Sequence, residues 1–177
     1  MAYLTQVTLT NGVPAAAADD GEVLTLNGIC PRYVTVSMTV PTDAQDAGDV
    51  IAATQVVAAC CPGNDIPSTL HSVTIIDTDD QKAALYLVFM DANTTLGTED
   101  VAPDIDDTEA LTLQGMPVDF AVADYKDLGG ASYAGRTGLG MVLKPATGTD
   151  DVYMSIVLGG VTATYASGVI TVRLGFI

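Results

Sequence analysis

The stretch Ser72-Val73-Thr74-Ile75-Ile76-Asp77-Thr78-Asp79-Asp80-Gln81-Lys82-Ala83-Ala84-Leu85-Tyr86-Leu87-Val88-Phe89-Met90-Asp91-Ala92-Asn93 decides the fold. It predicts two strands around a polar turn, a central hairpin. On the first arm Val73 and Ile75 share one face by the two-residue period, with Ser72, Thr74 and Ile76 on the other. On the second arm Leu85, Leu87 and Phe89 point one way and Tyr86, Val88 and Met90 the other. Both faces are apolar, which places this strand inside a sandwich and not at a solvated edge. Asp77-Thr78-Asp79-Asp80-Gln81 is rich in side chains that hydrogen-bond their own backbone, so it favours a turn over a helix start. A buried helix over Ala83 to Met90 is the competing reading. The run is short for a helix and ends in Asp-Ala-Asn, a loop signal.

Outward from that stretch, 177 residues suffice for one domain with a sizeable core, and no Pro/Ser-rich linker divides them. Apolar residues make up 49 % and charged residues 16 %, below the roughly 25 % charged of an average globular protein. Much of the surface is therefore Thr, Ser, Gly and exposed apolar groups, which favours assembly. The formal charge of −16 excludes nucleic acid and anionic membranes as expected partners, because phosphate binding needs clustered Lys and Arg. Here Arg32, Lys82, Lys126, Arg136, Lys144 and Arg173 are scattered. Cys30, Cys60 and Cys61 form no disulfide framework. The start Met1-Ala2-Tyr3-Leu4-Thr5-Gln6 lacks the pattern of a signal peptide, and synthesis in a reducing cytoplasm is expected.

Residues 1–22 are expected to be an extended N-terminal arm or added strand, since Asn11-Gly12 marks a tight turn but Pro14 and an alanine run follow it. Its apolar residues Tyr3, Leu4, Val7 and Leu9 are candidate contacts to a capsid or a neighbouring subunit. Residues 23–177 are expected to form the domain. Val23 to Leu26 with Asn27-Gly28 reads as a further hairpin. Tyr33 to Val40 alternates cleanly, with Val34, Val36, Met38 and Val40 inward. Val50 to Val57, Met116 to Val122 and Gly138 to Lys144 are further strands, and Asn93 to Thr108 is an acidic lobe at the sandwich end. Val152 to Phe176 reads as a meander whose last strand turns Ile170, Val172, Leu174 and Phe176 to the core. About nine short strands and no amphipathic helix beyond two turns predict an all-β single domain, a sandwich or jelly roll.

No catalytic constellation accompanies this pattern. His71 stands alone at a strand start, and Gly130-Ala131-Ser132-Tyr133-Ala134-Gly135 misses the nucleophile-elbow spacing by one residue. The acidic loops fail the calcium-loop pattern, because the sixth and twelfth positions from Asp77 are Lys82 and Val88. Asp77, Asp79, Asp80, Asp104, Asp106 and Asp107 remain candidates for a looser metal site. No cofactor and no enzymatic activity are expected.

Ile75 to Leu85 leading into Val88-Phe89-Met90-Asp91-Ala92-Asn93 resembles tailed-bacteriophage capsid decoration, or cement, proteins. Val122 to Gly129, Leu143-Lys144-Pro145 and Ile170 to Gly175 follow in the same order. The resemblance runs from about Gly48 to the C-terminus and leaves residues 1 to about 45 without a counterpart. It implies a non-enzymatic virion protein on the outer surface of a phage head, stabilising capsomer junctions. The partners it implies are the major capsid protein and further copies of the chain, as a homotrimer or a dimer. A receptor- or glycan-binding head module is the alternative.

Overall fold

The computed structural model describes residues 31–177, and of residues 1–30 only the backbone of three strands. Met1–Pro31 and Arg32–Ile177 form two compact units. The first holds β1 (Val7–Thr10), β2 (Val13–Ala17) and β3 (Val23–Thr25) in an antiparallel sheet ordered β1-β2-β3. Thr10 pairs with Val13, so only Asn11 and Gly12 separate the strands, the spacing a tight hairpin requires. Pro14 is accommodated opposite Leu9. In a two-residue hairpin that position turns its backbone nitrogen away from β1, and pairing with β3 begins only at Ala15. Val23–Thr25 pairs with Ala15–Ala17, and the turn expected at Asn27-Gly28 lies outside the described residues.

The second unit contains β4 (Arg32–Thr39), β5 (Ala44–Gln45), β6 (Val50–Val57), β7 (Ser68–Asp77) and β8 (Leu85–Met90). After these come α1 (Asp107–Ala110), β9 (Leu113–Phe120), a 3-10 turn (Val122–Asp124), β10 (Lys126–Asp127) and β11 (Ser132–Leu143). The chain ends with β12 (Val152–Leu158), β13 (Ala163–Thr164) and β14 (Val169–Phe176). One sheet is ordered β10-β11-β7-β14-β4, a second β6-β12-β8-β9, and β13 pairs with β5. All these pairings are antiparallel.

The order has a simple origin. Setting aside the two-residue strands, β4 pairs with β14, β6 with β12, β7 with β11 and β8 with β9. First pairs with last, second with second-last, and so inward to the middle. Rolling that long ribbon brings β7 against β14 and β8 against β12, closing the two sheets. Eight strands in this order are a jelly roll.

Side-chain alternation explains why each strand lies where it does. On β4, Val36 and Met38 are buried while Tyr33, Thr35, Ser37 and Thr39 are exposed. On β14, Ile170, Val172, Leu174 and Phe176 enter the core and Arg173 is exposed. β8 is an interior strand between β12 and β9, and its Leu85, Leu87 and Phe89 are buried against Ile75, Phe120 and Ile156 in the main core. Each such burial contributes about 1.5–3 kcal/mol. Its opposite face is covered as well. Met90 joins Val50, Leu96 and Val157 in a second cluster, with Val88, Ile105 and Tyr153 packed on it.

Three expectations change. The central stretch is not a hairpin: β7 and β8 belong to different sheets, so residues 78–84 carry the chain across the sandwich. Asp77 organises the crossing, Oδ1 accepting from Asp79 N at 3.0 Å and Oδ2 from Lys82 N at 2.9 Å. Asp80 and Lys82 take positive φ there, 56° and 51°. The C-terminal strands are not a meander, since β12 and β14 also lie in opposite sheets. The acidic stretch is no terminal lobe. Leu96 and Ile105 anchor it on the outer face of the four-stranded sheet, and Val101 O accepts from Val50 N at 2.9 Å while Asp100 N donates to Val50 O at 3.0 Å. These bonds cover the otherwise open edge of β6.

Candidate functional site

Of the six acidic residues singled out in the sequence, Asp77, Asp79 and Asp106 bind the protein's own backbone. Asp77 is 2 % exposed and occupied by the two amides of its turn. Asp79 accepts from Ser167 N at 3.0 Å and Ser167 Oγ at 2.6 Å, tying the crossing to the segment before β14. Asp80 pairs with Lys82 at 3.1 Å, and Lys82 reaches Asp127 at 2.8 Å. Asp106 caps α1, accepting from Thr108 N and Glu109 N, while Glu109 accepts from Asp106 N. Asp104 and Asp107 are exposed. Among the described residues no three His, Cys, Asp or Glu gather in an arrangement that could hold a metal ion.

His71 is exposed at a β7 irregularity, where Leu70 and Ser72 pair with the adjacent Phe176 and Gly175. Ser132 is fully buried beside Asp77, its cross-strand partner, and is no surface nucleophile. Cys60 and Cys61 are buried with sulfurs 3.8 Å apart. Burial, then the neighbouring Cys61, pushes the Cys60 thiol up to about 12, and burial also raises Cys61. Tyr125 and Tyr165 are buried too, and desolvation followed by the Asp77 charge raises both phenols. Of the candidate contacts, Tyr3 and Leu4 lie outside the described residues, while Val7 and Leu9 are on β1 opposite Ala16 and Pro14.

The feature that the sequence did not disclose is the outer face of the five-stranded sheet. The register sets Lys126, Tyr133, Ile76, Thr171 and Ser37 in one row across it. Gly135, Thr74, Arg173 and Thr35 form the next, then Thr137, Ser72, Gly175 and Tyr33. The Tyr33 ring lies across Gly175, where a Cβ would meet it at 3.2 Å, yet Tyr33 stays 81 % exposed. Val142, beside Thr69 on the same sheet, is 63 % exposed.

In a chain with 22 acidic residues, the four long strands of this sheet carry one carboxylate, Asp77, and it faces inward. The face does carry cations. Lys82, Arg136 and Lys144 are ion-paired with Asp80 and Asp127, Asp124, and Asp91 respectively, and Arg32 donates to Ala59 O and Cys61 O. Among the described residues Lys126 and Arg173 alone of the basic side chains form no ion pair or hydrogen bond, and both project here. The opposite sheet bears Asp91, Glu99, Asp100, Asp104, Asp106, Asp107 and Glu109 on the covering loop and α1. Charge is thus segregated between the two sides of the sandwich, an arrangement suited to binding a broad surface in one orientation.

No protein-family model matches the chain, and no curated protein matches it. Two solved structures with some likeness are viral. One, desmodium yellow mottle tymovirus, is 12 % identical over 85 % of this chain and 81 % of that one, with a TM-score of 0.28. Another, infectious bursal disease virus Gx strain, is 11 % identical over 97 % of this chain but half of that one (50 %), with a TM-score of 0.22.

Proposed function

We propose that this chain is a structural protein of a tailed-bacteriophage virion that binds the outside of the head and stabilises capsomer junctions. The strand order is the observation that carries the reading, because the eight-stranded jelly roll is a recurrent architecture of viral capsid domains. Two further features support it. The acidic side chains with defined partners cap, turn or pair within the protein, leaving a charge-segregated exterior. The central and C-terminal segments also resemble decoration proteins in sequence. In this reading the partners are the major capsid protein and other copies of the chain, as a homotrimer or a dimer, with synthesis in the host cytoplasm.

Residues 1–22 act as an arm whose Tyr3, Leu4, Val7 and Leu9 reach a neighbouring subunit or the shell. One patch of standard size buries about 800 Å² per partner, and the lost freedom of association cancels much of that gain. Several linked copies convert later contacts into intramolecular ones, so modest patches sum to stable attachment. The test is co-sedimentation of the purified protein with head shells lacking it, where saturable binding is expected and absence of binding refutes the reading.

Recognition of a receptor glycan is the second reading. It is favoured by the exposed rings of Tyr33 and Tyr133, since jelly rolls also serve as lectins. Glycan-array binding abolished by Tyr33→Ala, with no affinity for shells, would establish it instead.

A further inference from the structure

We infer that the outer face of the five-stranded sheet is the side that seats on the shell, and that it meets an acidic surface of the shell protein there. This rests on the reading of the chain as a head-binding protein and adds its orientation. A molecule of net charge −16 repels another acidic surface over most of its exterior. The four long strands of this sheet turn no carboxylate outward, and among the described residues Lys126 and Arg173 stand on the face without an ion-pair partner. They are three strand spacings and two residues apart, about 16 Å at the usual sheet dimensions. Carboxylates on the partner would satisfy both and fix the register of docking.

The dimensions agree. The four long strands span about 19 Å and eight residues about 26 Å, roughly 500 Å² in projection before the short β10 is added, the larger part of one side of a standard interface. The surface also has the composition of a contact. Tyr33, Tyr133 and Val142 supply exposed apolar area, 81 %, 42 % and 63 % accessible, and the Thr and Ser between them shed water at little electrostatic cost. The opposite side, with its acidic loop, then faces solvent and keeps decorated particles apart.

Co-sedimentation with head shells assembled from the major capsid protein tests this. Arg173→Glu combined with Thr35→Glu places two carboxylates in one row of the face, and Lys126→Glu reverses the charge at its margin. Asp104→Lys alters the opposite side. The double variant should lose at least tenfold in affinity, Lys126→Glu should lose less, and Asp104→Lys should bind like the unchanged protein. Melting temperatures near that of the unchanged protein show that the face variants are folded, and Lys126→Glu provides the reading if the double variant is not. Binding of all folded face variants at unchanged affinity overturns the inference while leaving the head-binding function intact. A loss confined to Asp104→Lys does the same. If the face variants instead lower the oligomeric state in sedimentation velocity without weakening shell binding, the face joins copies of this chain and the inference is wrong. Failure of the unchanged protein to bind any shell removes the functional reading and the inference together.

Discussion

Asp77→Asn tests the element on which the two sheets depend. The substitution keeps shape and volume while it removes the charge and replaces one acceptor oxygen by an NH₂ donor. In the native protein Oδ1 and Oδ2 each accept one backbone N–H, from Asp79 at 3.0 Å and Lys82 at 2.9 Å, around a side chain 2 % exposed. An asparagine retains one oxygen, so in either orientation its NH₂ faces a backbone donor. One N–H then loses its partner, at about 1–3 kcal/mol, and the surviving bond loses its charge assistance, about 1 kcal/mol more. Partial access of solvent to the turn argues for the lower part of that sum, about 2–3 kcal/mol. At about 2–4 °C per kcal/mol for a chain of this size, the melting temperature should fall by about 4–12 °C. Thermal unfolding followed by circular dichroism at pH 7 reads it directly. Asp79→Asn is the comparison, because its bonds to Ser167 are exposed and should cost about 1 kcal/mol or less. If Asp77→Asn lies within about 0.5 kcal/mol of the unchanged protein, the carboxylate does not organise the crossing and the reasoning fails.

Other expectations follow from burial and charge. In a Cys30→Ser background Cys60 and Cys61 should resist a thiol reagent at pH 8 and react on unfolding; rapid labelling of that folded variant would contradict their burial. Because the Cys60 thiol is raised from 9.0 to about 12, its contribution to stability is complete below pH 9 and is lost as pH rises towards 12. Tyr125 and Tyr165 should stay protonated above the usual phenol range, so the ultraviolet titration should leave two phenols silent until alkaline unfolding. Leu96→Ala should cost about 2–3 kcal/mol and speed protease cleavage between residues 91 and 106; an unchanged cleavage rate would mean that Leu96 does not anchor the loop. Removal of residues 1–31 should leave the jelly roll folded and weaken attachment to particles; loss of the β circular-dichroism spectrum would make that segment part of the domain's folding unit.

The all-β class and the buried side of each long strand were legible because alternation is a local property. Val36 and Met38, or Ile170, Val172 and Leu174, declare their face without reference to a neighbour. Pairing was less legible. Two apolar strands joined by polar residues look alike whether they hydrogen-bond to each other or pack across a core. The seven residues 78–84 suit a crossing better than a two-residue hairpin, and their length was the available signal. In the acidic stretch Leu96 and Ile105 were the clue that charge alone concealed, since a freely solvated lobe has little use for them. The candidate face was hidden for a different reason. No one strand shows that Lys126, Tyr133, Thr74, Arg173 and Tyr33 share a surface, because that requires the order β10-β11-β7-β14-β4.

The most direct test of the central claim is electron cryomicroscopy of particles carrying this protein, compared with particles lacking it. The account predicts additional density on the outside of the head, over junctions between capsomers, into which the two-sheet jelly roll fits with its five-stranded sheet towards the shell and the 91–109 segment outward. Density inside the shell, density confined to the tail, or identical heads in the two preparations would contradict it.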